Sequence, residues 1–102
     1  MGREVVFVDC MRTAFGTLGK TLRNILGEEL AGMTIKGLVE RSKILEKGGA
    51  IDAVFMGSAI GGHSAINPSR WAVLASGLPE STSASYIEMQ CGSAIDSINH
   101  AA

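Results

Sequence analysis

Cys91 stands where an extended apolar stretch gives way to helical periodicity, in Tyr86-Ile87-Glu88-Met89-Gln90-Cys91-Gly92-Ser93-Ala94-Ile95. A helix N-terminus presents free N–H groups and the positive end of the dipole, and both favour thiolate over thiol. The chemistry open to such a residue is nucleophilic attack on an acyl carbon. The backbone N–H of Cys91 can donate to the oxyanion that forms. Gly92 leaves room beside the sulfur. The competing reading is a small buried apolar side chain, since free cysteine is among the most buried residue types.

A cysteine nucleophile works with a base within hydrogen-bond reach, most often histidine. His100 lies nine residues along the same expected helix, which places it on the opposite face and about 13 Å along the axis. His63 falls in the loop-like Gly61-Gly62-His63-Ser64, where a lone histidine is more often solvated than catalytic. The carboxylate of Glu88 opposes a thiolate, so Glu88 reads as an interface or loop partner. Cys10 follows an apolar run and is expected in or near the core. With two cysteines, no C-x-x-C and no His/Cys ligand spacing, neither a disulfide framework nor a zinc site is expected, and no metal is assigned. No G-x-G-x-x-G or Walker A segment supports a nucleotide fold.

The elements that must position Cys91 read as an alternation. Val5-Val6-Phe7-Val8 is a continuous β-branched and aromatic run suited to a buried strand. A loop follows through Arg12-Thr13-Ala14-Phe15-Gly16 to Gly19-Lys20. Residues 28–45 are helical by spacing, with Leu30, Met33, Gly37, Leu38 and Arg41 on one face, acids at the start and Gly48-Gly49 as the stop. Ala53-Val54-Phe55-Met56-Gly57 is a second strand. Asn67-Pro68 starts a second helix and Gly77-Leu78-Pro79 ends it. Residues 85–89 form a third strand, and a third helix begins at Cys91 with Ala94, Ile95, Ile98, Ala101 and Ala102 completing its apolar stripe. The order β-α-β-α-β-α implies a layered α/β fold with a mainly parallel sheet.

The 102 residues bound the chain to at most one ordinary domain. Hydrophobic residues make up 46% against 19% charged, too apolar for a disordered tail and generous for so small a unit. Burial against a partner or further sequence is the expectation. Nine basic and ten acidic residues are well mixed, giving a net charge of −1 and no footprint for nucleic acid or an anionic membrane surface. The opening residues 1–6 hold too short an apolar run for a signal peptide and lack the hydroxyl residue of a myristoylation motif, so neither is expected, and no segment approaches membrane length. A soluble protein of a reducing compartment, the cytoplasm, is the default.

Several of these segments resemble one family. Residues 5–16, VVFVDCMRTAFG, resemble the opening strand and RTPFG loop of thiolases. Met56-Gly57 followed by Asn67-Pro68-Ser69-Arg70 resembles their MGN…QNPAR segment, and Gly77-Leu78-Pro79 their GLP. Met89-Gln90-Cys91-Gly92-Ser93 resembles the family's nucleophile motif, V-C-G-S-G. The segments occur in order and in register over nearly the whole chain. The resemblance implies a thiolase-like α/β fold, here an incomplete N-terminal half with a mainly parallel mixed sheet. Residues 1–102 then form a partial domain truncated in the helix that begins at Cys91.

The resemblance further implies a CoA-dependent acyltransferase. Cys91 takes an acyl group from a 3-ketoacyl-CoA or acetyl-CoA. It passes that group to CoA in thiolysis, or to an acetyl-CoA carbanion in Claisen condensation. CoA and acyl-CoA are substrates, with no permanently bound cofactor, and a homodimer or tetramer is expected of the complete protein. Three positions depart from the pattern: Ala94 replaces the usual Gly and narrows the acyl pocket, Glu88 replaces Asn, and Ala14 replaces Pro. The family's NEAF asparagine, GHP histidine, second cysteine and CoA-binding loop match no residue of this chain, so it is expected to be inactive alone. Two other readings stand beside this one: a non-catalytic association module of the same fold, and another cysteine acyltransferase such as a ketoacyl synthase. The Cys-Gly-Ser motif and RTAFG loop favour thiolase over the last.

Overall fold

The computed structural model describes residues 2–60 and 64–102. Five elements follow one another: α1 (Gly27–Ser42), β1 (Ala53–Gly57), α2 (Pro68–Ser76), β2 (Ser83–Ile87) and α3 (Ser93–Ala101). β1 and β2 pair in parallel, Ala53 opposite Ser83 and Gly57 opposite Ile87. Parallel neighbours need a crossover, and α2 supplies it.

Local signals define α2 at both ends. The Asn67 side chain accepts the N–H of Arg70 at 3.1 Å, Pro68 takes the first turn, and Gly77 closes the helix at φ 80°. Its buried side, Pro68, Ser69, Ala72, Val73 and Ser76, is the centre of the core, with Leu78 and Thr82 beside it. The Arg70 guanidinium donates to the carbonyls of Glu80 and Thr82, both at 3.0 Å, and the Thr82 hydroxyl donates to the Ile51 carbonyl at 3.0 Å. These bonds fasten the entry of β2 to α2 and to the approach of β1.

α1 packs across α2 at Gly32. A methyl there would lie 3.1 Å from both the Ala72 carbonyl oxygen and the Ala75 Cβ, so the helices meet through their smallest residues. Glu28 and Glu29 occupy its first turn, where the helix dipole favours anions. Glu29 accepts the Leu26 N–H at 3.0 Å. Glu28 is fully buried, and its carboxylate accepts both the N–H and the hydroxyl of Ser64, tying the segment before α2 back to α1. At the other end, Arg41 pairs with Asp9 at 2.7 Å and donates to the Cys10 carbonyl. The Arg41 guanidinium, helped by the Cys10 N–H, holds the Asp9 carboxyl below its ordinary value of 3.8.

Four expectations require correction. Residues 5–8 form no strand: Val5, Val6, Phe7 and Val8 are exposed and take part in no ladder, because a strand exists only with a hydrogen-bonded neighbour and the described residues bring none. The order is therefore α-β-α-β-α and the sheet is two-stranded among the described residues. α1 ends at Ser42 rather than Leu45, with Lys43 in the left-handed region at φ 55°, and Met33, expected on its buried face, is 60% exposed while Gly32 is buried. The third strand lies two residues earlier than expected, at Ser83–Ile87.

The fourth correction concerns α3. Its expected apolar stripe faces outward, with Ile95 67% and Ile98 46% exposed. Ser93 and Ser97, spaced by one turn, form the buried side instead. Small side chains let the helix backbone press against β1, where Cβ-less Gly57 meets the backbone of Ser93. Contact distance, and not hydrophobicity, selected this face.

Candidate active site

β2 delivers the chain to a short turn that presents Cys91. After Ile87, Gln90 adopts φ 50°, the left-handed conformation that non-glycine residues take only when their surroundings require it. The Gly92 N–H then bonds the Met89 carbonyl and the Ser93 N–H bonds the Gln90 carbonyl, each at 3.1 Å. Gly92 is the N-cap of α3, and Asp96 donates to its carbonyl at 3.0 Å. Cys91 thus precedes the N-cap and is not in the helix's first turn as the sequence suggested. Its thiol is free and exposed in this chain, where the competing reading expected a buried apolar side chain.

The other candidates are dispersed. His100 is engaged away from Cys91: its Nδ1 lies 2.9 Å from the Asp96 carbonyl oxygen and 3.6 Å from the Asp96 carboxylate, and its ring is 6.2 Å from that of Phe55. Glu88 is exposed. Cys10, expected in the core, is exposed as well, because the segment that carries it lies on the outside of α1. His63 lies outside the described residues. Among the described residues no three His, Cys, Asp or Glu side chains converge as metal ligands.

A groove of about 620 Å³ runs between α1 and β1, lined by Glu28, Leu30, Thr34, Val54, Met56 and Ser58 among others. Cys91 does not line it. The groove reaches Gly57 and Ser58, however, and these are the two β1-end residues that contact Ser93. Ser93 and Gly57 were not singled out in the sequence as site residues. The signal that would have found them is the Ser93/Ser97 spacing, a pair of small polar residues one turn apart in the helix.

A parallel β-α-β unit leading through a turn with an exposed Cys91 into a helix is the arrangement the motifs implied. The model of the thiolase N-terminal domain matches residues 5–102. This chain belongs to the thiolase family. Among curated thiolase relatives, it is 37% identical to a beta-ketoadipyl-CoA thiolase of Pseudomonas aeruginosa over 99% of its own length and 25% of the relative's. An acetyl-CoA acetyltransferase of Cupriavidus necator is 35% identical over 97% of the chain and 25% of the relative. A 3-oxoadipyl-CoA/3-oxo-5,6-dehydrosuberyl-CoA thiolase of Escherichia coli is also 35% identical, over 98% of the chain and 25% of the relative. The chain therefore spans about a quarter of the length of the thiolases it matches. None of its described helices is long and apolar enough to cross a membrane.

Proposed function

We propose that this chain is the nucleophile-bearing N-terminal part of a thiolase that moves acyl groups between a cysteine and CoA. The observation that carries the reading is Cys91 itself: the cysteine of the thiolase-like motif, exposed on a hydrogen-bonded turn at the head of α3. The Cys91 sulfur attacks the acyl carbon of an acyl-CoA or 3-ketoacyl-CoA, and the oxyanion accepts the Cys91 N–H. Collapse leaves a thioester on Cys91 and expels CoA thiolate or, from a 3-ketoacyl-CoA, the acetyl-CoA carbanion. The acyl group then leaves to a second CoA in thiolysis, or to an acetyl-CoA carbanion in condensation. His100, the histidine of the same helix, is engaged by Asp96, and turnover is proposed to draw its base from further sequence or a second chain. The names of the relatives support an acyl-CoA as the substrate class, and a cytoplasmic homo-oligomer is the form proposed for the complete protein.

The test replaces the matching quarter of the Cupriavidus necator acetyltransferase with residues 1–102 and follows acetoacetyl-CoA thiolysis. The chimera turns over, its Cys91→Ala variant does not, and the 102-residue chain alone does not. Thiolysis that survives Cys91→Ala, or robust turnover by the chain alone, overturns the reading.

A second reading treats the chain as a non-catalytic association module. The outward apolar side chains of α3 and residues 5–8 favour it. Sedimentation across a concentration series tests it; a well-folded monomer at all concentrations removes it.

A further inference from the structure

We propose that Ser93 is the positioning residue of the Cys91 turn, a role that rests on Cys91 being the acyl-accepting nucleophile. Ser93 is 2% exposed. Its Oγ accepts the Met89 N–H at 2.7 Å and lies 2.7 Å from the Gln90 carbonyl oxygen and 3.0 Å from that of Ser58. A hydroxyl has one proton to donate, so the two carbonyls share it, while a lone pair takes the Met89 N–H. Met89 and Gln90 are the two residues that lead into Cys91. Ser58 belongs to a different strand connection, following β1.

One oxygen therefore ties the nucleophile's turn both to itself and to the segment that leaves β1. The left-handed Gln90 sits between these bonds, and its strained backbone is maintained because both its own carbonyl and the preceding N–H are held by Ser93. Gly57 adds an independent constraint. A Cβ on Gly57 would lie 2.5 Å from the carbonyl carbon and oxygen of Ser93, so β1 approaches the first residue of α3 as closely as a glycine permits. The Cys91 backbone is thereby referenced to β1, although the chain reaches it from β2. Misplacing a reacting atom by about 1 Å can slow a reaction on the order of a hundredfold. Ser93 prevents that displacement; its oxygen is committed to the backbone and acts through Cys91 rather than on the acyl group.

The experiment uses the 102-residue chain and its own second thiol. Cys10 is exposed like Cys91 and is not part of the turn, so it serves as an internal reference. A small acetyl thioester is the probe. The cysteine sulfur attacks its carbonyl carbon, a new thioester bond forms and the probe's thiolate leaves, and mass spectrometry reads the Cys91-to-Cys10 acetylation ratio. The expected ratio is about ten or more in the parent, falls toward unity in Ser93→Ala and returns in Ser93→Thr, which keeps the hydroxyl. NMR supplies a signature that a general loss of stability does not imitate. In Ser93→Ala the Met89 amide exchanges faster by about tenfold and Gln90 leaves its left-handed shifts, while the amides of Phe55 and Val73 are unchanged. A folded Ser93→Ala chain that retains the ratio and both signals overturns the proposal. If Ser93→Ala does not fold, the parent decides: a Met89 amide protected like those of β2 supports it, and one exchanging like an open loop overturns it. A ratio near unity in a parent whose Met89 is protected overturns the nucleophile reading instead.

Discussion

Gly57 and Ser93 meet backbone to backbone, so closely that a methyl group on Gly57 would lie 2.5 Å from the Ser93 carbonyl carbon. No flexible side chain is available there to yield. Gly57→Ala gains up to about 1 kcal/mol by restricting the unfolded chain, but forcing α3 off β1 costs about 2 kcal/mol or more. The net expectation is destabilisation of at least about 1 kcal/mol, read from the urea midpoint of Trp71 fluorescence. A midpoint at or above that of the parent would contradict the close approach.

The buried side of α3 yields a paired prediction. Ser97 is 5% exposed and donates to the Ser93 carbonyl at 2.9 Å, whereas Ile95 is 67% exposed. Ser97→Val overpacks this buried position and lowers stability by about 1–3 kcal/mol. Ile95→Ser changes the stability of this chain by less than about 0.5 kcal/mol. Equilibrium denaturation of the two variants side by side checks the order. The reverse ranking would restore the hydrophobic stripe as the inner face.

Asn67 caps α2 through the Arg70 N–H, and its amide also donates to the Ala84 carbonyl on β2 at 3.2 Å. Asn67→Ala removes both bonds, and a loss of about 1–2 kcal/mol follows from the cap. Asn67→Asp keeps the cap acceptor and recovers most of it. Thermal melts followed by helical circular dichroism distinguish the two.

The Asp9–Arg41 pair makes stability depend on acid. The folded-state carboxyl titrates below its ordinary 3.8, so its contribution is fully present above the unfolded value and is lost as pH falls through the folded one. The parent therefore melts above Asp9→Asn at pH values over about 5, and the difference closes at lower pH. The pair is partly exposed, with side chains 49% and 32% accessible, so the difference also shrinks in about 1 M salt. A difference in Tm that is independent of pH would show that Asp9 acts through packing alone.

Much of the fold was legible because it is locally encoded. Ala53–Gly57 appears with the boundaries its composition implies, and α2 runs from the Asn67-Pro68 start to the Gly77 stop. Capping and turn energies act within a few residues, so they are readable in one dimension. Cys91 was legible as a residue between strand and helix, and its motif led to the family. Its position before the N-cap was not, since that depends on a left-handed Gln90 maintained by bonds from Ser93.

Residues 5–8 mark the same boundary from the other side. Their β-branched run expresses a propensity, yet a strand is a relation between two segments and the structure brings them no partner among the described residues. The outward turn of Ile95 and Ile98 has a related cause: periodicity defines a helix face, but only the neighbouring strand decides which face it accepts. The sequence by itself determined the family, β1, α2 and the cysteine between strand and helix, because motifs and caps are local. Tertiary structure decided that α3 turns Ser93 and Ser97 inward and meets β1 at Ser93 and Gly57, because close backbone approach depends on atoms far apart in the chain and on the absence of a Cβ where they touch.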